Sequence, residues 1–226
     1  MTAATEYVAR RDPALKLMFS LGMAVAIAAI GYVMMTVTSS PTVKGASFLW
    51  LPAALQLAAG VWLGPWYGFL AGGLGAYAAG IFAYGGWGIV DIIMNPIAGG
   101  FANAMLPAFL FQALRVAPTL GAKRPSDVLT GAVRMVILAI LVLAAGFANR
   151  FLGLPSPWGF ALPLVVVFLG AGILFRGLTL DRRSFTTAVF IAVFVCAVSA
   201  FIGAIGATVG GKPFAAAHVD PGNGWF

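Results

Sequence analysis

The side chains able to do chemistry in this chain of 226 residues are few, and they gather at the ends of uncharged segments. Asp91 and Asn95 are four residues apart, so on a helix they share one face. Asn149 adjoins Arg150 at the end of a later segment, and Trp50, Tyr84 and Trp87 flank the earlier ones. A carboxylate, amides and a guanidinium among aromatic rings are the chemistry of a small-molecule pocket, in which apolar walls hold the ligand and a few polar groups orient it. The same inventory lacks a nucleophile–base pair, a metal-ligand cluster and a phosphate-cradling loop. Cys196 stands alone, and the single histidine, His218, sits near the polar carboxyl end. The reading is therefore a non-enzyme with no catalytic residues, no cofactor and no metal.

The elements that position these groups are set by charge. The chain is 62% hydrophobic and 8% charged, with 13 basic and 6 acidic residues, against about a quarter charged in a soluble domain. No charge falls between Lys44 and Asp91, Asp91 and Arg115, Arg150 and Arg176, or Arg183 and Lys212. A bilayer-spanning helix needs roughly 20 apolar residues, so these blanks are membrane segments. A soluble enzyme and a nucleic-acid binder are excluded despite the net charge of +7, because basic residues in such a chain fix topology.

The fold class expected is an all-α, polytopic membrane bundle of six or seven transmembrane helices. Residues 1–16 form a cytoplasmic segment rather than a cleaved signal, 17–211 the bundle and 212–226 a polar tail. The spans run near Leu17–Val37, Phe48–Leu63, Trp66–Tyr84, Ile89–Leu114, Thr130–Asn149, Trp158–Leu178 and Phe185–Val209. Gly64-Pro65 separates the second from the third, since proline cannot donate to the preceding turn. Pro96 marks a kink or a true start in the fourth. With the amino terminus inside, nine lysines and arginines fall on the cytoplasmic side and three, Lys44, Arg150 and Lys212, on the other, with Arg134 left within a span near its cytoplasmic end. Asp91, Asn95, Asn149, Arg150, Trp50, Tyr84 and Trp87 then converge on the outer half.

Structural readings of these residues stay open beside the functional one. Tryptophan and tyrosine are enriched at membrane interfaces, Arg150 can snorkel, and Asp91 can simply pair with it. Gln56 and Asn103 can serve as interhelical hydrogen-bond partners. Small residues recur every four positions at Gly68, Gly72, Ala76 and Gly80, and again at Ala24 and Ala28. That spacing lets helix backbones approach closely. The third helix is the better candidate for burial, the first for docking a partner.

The stretches LPAALQLAAGVWLGPWYGFLAGGLGAY (Leu51–Tyr77) and NPIAGGFANAMLPAFLFQALR (Asn95–Arg115) resemble the substrate-binding S components of energy-coupling factor (ECF) vitamin transporters. Gly64-Pro65 with Gly68 and Gly72 carries most of the likeness, which covers about a third of the chain. The resemblance implies a six-helix S-component-like core in the cytoplasmic membrane that binds a small organic micronutrient near its outer face. Ala24 and Ala28 would dock a membrane coupling subunit powered by two cytoplasmic ATPases. Asp91, Asn95 and Asn149 would fall where that family places its ligand. Two departures stand out: seven segments are counted where the family has six, and Thr2 replaces the amino-terminal histidine of nickel and cobalt members, which points away from a metal substrate.

The competing class is a non-catalytic accessory subunit of a larger respiratory or photosynthetic membrane complex. Its small-residue faces would bind neighbouring helices or lipid, and Asp91 would be structural. On the transporter reading, Asp91→Ala abolishes ligand binding while the protein stays folded in detergent; unchanged affinity by isothermal titration removes Asp91 from the site.

Overall fold

A computed structural model describes residues 12–37, 50–84, 89–122, 125–152, 158–174 and 176–210, and among them all regular structure is helical. The elements are α1 (Pro13–Val37), α2 (Pro52–Leu63), α3 (Pro65–Tyr84), α4 (Ile89–Asn95), a π-helical stretch (Pro96–Met105), α5 (Leu106–Ala113), α6 (Pro125–Leu152), α7 (Trp158–Leu174) and α8 (Arg182–Gly210). Among the described residues three runs are long and apolar enough to cross a bilayer: Pro13–Met35, Ile92–Ala113 and Arg182–Gly203, with mean hydropathies of 2.1, 1.3 and 2.5. Such lengths and compositions are those of an integral membrane protein. The chain divides into two compact units, Met1–Pro118 with Thr186–Phe226, and Thr119–Phe185.

Capping residues set where the long helices begin. α1 starts at Pro13, four residues ahead of the apolar onset at Leu17, because Asp12 accepts the Ala14 N–H at 3.0 Å and proline suits the first helical position. α8 starts at Arg182 in the same way, the Ser184 N–H donating to Asp181 Oδ2 at 2.8 Å. The Ser184 side chain also bonds Asp181, and together with the backbone bonds this holds the carboxyl below the usual carboxylate range. α5 ends on Arg115, whose φ of 55° is more usual for glycine, with the Val116 N–H reaching back to the Phe111 carbonyl at 2.9 Å.

In the first unit α3 is the hub. The twelve-residue α2 ends at Gly64, whose φ of 94° only glycine adopts without strain, and α3 resumes at Pro65. The chain folds back there, so Gly68 lies against the Gly60 backbone. One face of α3 meets α1: a Cβ at Gly75 would stand 2.5 Å from Ile27 Cγ2 and 2.9 Å from the Ala24 carbonyl oxygen. Another meets the π-helical stretch, where Gly72 abuts the Gly99 carbonyl and a Cβ at Gly100 would lie 2.8 Å from the Phe69 carbonyl oxygen. Ile27, Ala59 and Ala71, all fully buried, form the apolar centre with Met23, Leu55 and Leu63 packed around them. Ser20 is buried too, and its hydroxyl donates to the Tyr67 carbonyl at 2.7 Å, tying α1 to α3. The third helix thus buries its glycine stripe, as its spacing predicts.

Pro96 neither breaks nor merely kinks the fourth segment. The helix passes through it by widening into the π form, in which the Leu106 N–H bonds the Phe101 carbonyl five residues back. α8 meets this stretch through Ser199, whose hydroxyl donates to the Ala98 carbonyl at 3.4 Å, while Phe190, Phe194 and Phe201 stay exposed.

The second unit is built on α6 and α7. Gly170 lets Leu138 approach α7, where a Cβ would stand 2.7 Å from Leu138 Cδ1. The Arg134 guanidinium donates to the Leu174 carbonyl at 2.6 Å and the Arg176 carbonyl at 3.1 Å, satisfying groups the end of α7 would otherwise leave open. The Thr179 hydroxyl donates to Asp127 in the first turn of α6, and the Asp181 N–H to the Leu120 carbonyl at 3.0 Å.

A Cβ at Gly60 would overlap the Ala104 carbonyl, whereas one at Gly22 would meet nothing within 4 Å. Gly60→Ala is therefore expected to cost about 1–3 kcal/mol, the range for overpacking. Gly22→Ala is neutral or stabilising by up to about 1 kcal/mol. Thermal midpoints in mild detergent separate the two, and equal midpoints would refute the backbone contact.

Candidate functional site

The polar interior of the first unit is made by two carboxamides. Gln56 lies in the middle of α2 and is fully buried; Asn103 lies in the π-helical stretch and is 2% exposed. Glycines bring their helices close enough to meet: Gly60 of α2 touches the Ala104 carbonyl, and a Cβ at Gly99 would come within 2.9 Å of Gln56 Nε2. Asn103 Nδ2 donates to Gln56 Oε1 at 2.8 Å, and Gln56 Nε2 donates onward to the Gly72 carbonyl of α3 at 3.4 Å. Three segments are thus joined by one relay of amides. Asn103 Oδ1, also buried, has no hydrogen-bond partner among the described residues. The pair is the interhelical partnership open to these two residues from their sequence.

The residues expected to form an outer pocket are distributed as follows. Asp91 and Asn95 lie on α4, one turn apart along the chain, and Asn95 is half-buried ahead of Pro96. Trp50 is half-buried, and its ring edge rests on α1, where a Cβ at Gly31 would stand 3.0 Å from Trp50 Cη2. The backbone of Tyr84 closes α3, and those of Asn149 and Arg150 belong to α6. The side chains of Tyr84, Asp91, Asn149 and Arg150, and the whole of Trp87, lie outside the described residues. Trp50, Tyr84, Asp91 and Asn95 belong to the first unit, and Asn149 and Arg150 to the second.

Ala24 and Ala28 are 7% and 9% exposed and lie at the floor of an apolar groove between α1 and α3. The groove encloses about 610 Å³, and its rim carries the exposed Leu21, Val25, Tyr32, Leu74 and Phe82. Sequence spacing pointed to the small floor residues. The bulky rim was missed, because its members come from two helices whose register is set by the contact of Gly75 with Ile27.

Comparison of the chain with models of known families, with curated proteins and with solved structures finds no match. Its chemistry is accordingly read from the groove and the amide relay alone.

Removing one partner of a buried hydrogen bond leaves the other desolvated and unpaired, whereas removing both need cost little. Asn103→Leu is expected to destabilise by about 1–3 kcal/mol, because Gln56 Oε1 loses its donor. The double variant Gln56→Met/Asn103→Leu should recover most of that loss. Additive effects of the two single changes in thermal unfolding would show that the amides do not act as a pair.

Proposed function

We propose that this chain is the membrane-embedded, substrate-binding subunit of an ECF-type uptake transporter for a small organic micronutrient. In this reading it is a bundle of six or seven transmembrane helices with an S-component-like core, set in the cytoplasmic membrane with its amino terminus inside. The observation that carries the reading is the groove over Ala24 and Ala28, on a helix apolar enough to cross the bilayer. Two small side chains under a rim of large apolar ones make a seat for a helix of a membrane partner. The partner is a coupling subunit bearing two cytoplasmic ATPases, since the chain itself has no nucleotide-cradling motif. Substrate is captured at the outer end, where Asp91 and Asn95 supply polar contacts and Trp50, Tyr84 and Trp87 the walls. The chain performs no chemistry on the substrate.

The second reading, an accessory subunit of a respiratory or photosynthetic complex, draws on the same groove and on the closely packed core of the first unit. Native mass spectrometry of the protein gently extracted from its own membrane separates the two. A bound micronutrient or a coupling subunit with ATPase chains supports the transporter. Fixed stoichiometry with a redox or pigment-bearing assembly, and no micronutrient, overturns it. Ala28→Leu, and the double variant with Ala24→Leu, should reduce co-purified partner on the order of tenfold, equivalent to about 1.4 kcal/mol, with ligand binding unchanged. Undiminished co-purification by folded variants would move the docking surface elsewhere.

A further inference from the structure

We propose that Asn103 holds one ordered water molecule in the core of the first unit, shared with the backbone carbonyl that Pro107 deprives of its helical donor. Asn103 is 2% exposed and spends its Nδ2 on Gln56 Oε1, while its Oδ1 has no partner among the described residues. Exchanging the oxygen and nitrogen of the amide does not relieve this. Flipping Asn103 alone sets its oxygen against Gln56 Oε1, and flipping both residues turns Gln56 Oε1 onto the Gly72 carbonyl that Nε2 now donates to. Every arrangement leaves one acceptor short of a donor.

A second acceptor adjoins it in the chain. In the π-helical ladder the Leu106 N–H bonds the Phe101 carbonyl, so the next donor in register belongs to residue 107 and should serve Ala102. Residue 107 is proline and has no N–H to give. Ala102 is fully buried, so bulk solvent does not make up the deficit. Two donor-deficient oxygens thus arise on neighbouring residues, and a water molecule carries two donors. Prolines are tolerated in membrane helices where π adjustments and ordered waters re-satisfy the freed carbonyls, and here the π adjustment is already in place. Gln56 and Asn103 are both neutral and bring no carboxylate, so a bare cation would sit there without countercharge. The guest is therefore a neutral hydrogen-bond donor.

The test is a structure of the full chain in lipid nanodiscs at a resolution that shows ordered waters, collected in sodium and in choline buffers. The expected result is density about 2.5–3.0 Å from Asn103 Oδ1, the same in both buffers. It should be lost in Asn103→Leu or, where that variant does not fold, in Gln56→Met/Asn103→Leu. Density absent here while other buried waters are visible overturns the proposal. So does density that persists in the variants, density present only with sodium, or an Asn103 side chain turned onto a protein donor.

Discussion

The first unit depends on backbone reaching backbone. Within a bilayer the lipid tails are as apolar as leucine, so exclusion from water does not draw helices together, and dispersion over close surfaces must. Gly68 against Gly60, Gly72 against Gly99 and Gly75 against Ile27 supply that closeness at three points on α3, and Gly60 against Ala104 supplies it between α2 and the π-helical stretch. Each is a place where even a methyl group would collide, so the contacts are steric requirements and not merely preferences. The amide relay follows from them. Gln56 reaches Asn103 and Gly72 because α2, α3 and the π-helical stretch are already within side-chain length of one another.

The π-helical stretch answers a problem that the prolines pose. Pro96 and Pro107 each remove an N–H from a helix that has to keep its main chain satisfied in an apolar medium. Widening the helix changes which carbonyls go short, and it turns Asn103 toward Gln56 and the Ala98 carbonyl toward Ser199 of α8. Local repair and interhelical contact are therefore one arrangement.

Much of this fold was legible from charge-free runs and glycine spacing. The break at Gly64-Pro65, the buried stripe on α3 and the small pair on α1 all follow from residue type and period. Helix starts were less legible, because hydropathy locates where apolar residues begin, whereas Asp12 and Asp181 determine where the first turn closes. The π form was not legible at Pro96, since a proline says which donor is missing and nothing about what replaces it. Nor was the meeting of Gln56 with Asn103, 47 residues apart, because it depends on how deeply the glycines let two helices sink. Of the residues expected to form an outer pocket, only Trp50 and Asn95 have described side chains, and the ring of Trp50 packs on α1 beside Gly31.

The brevity of α2 bears on how the protein is made. Its twelve residues rise about 18 Å, well short of a hydrocarbon core about 30 Å thick, and a buried glutamine sits at its middle. Such a segment is a poor candidate for independent partitioning out of the insertion machinery. Its glutamine finds partners only when α3 and residues 96–105 have been synthesised and have closed around it. The closing of α2 into the first unit thus waits on the synthesis of residues 96–105, so the order in which the helices are made is not the order in which they settle.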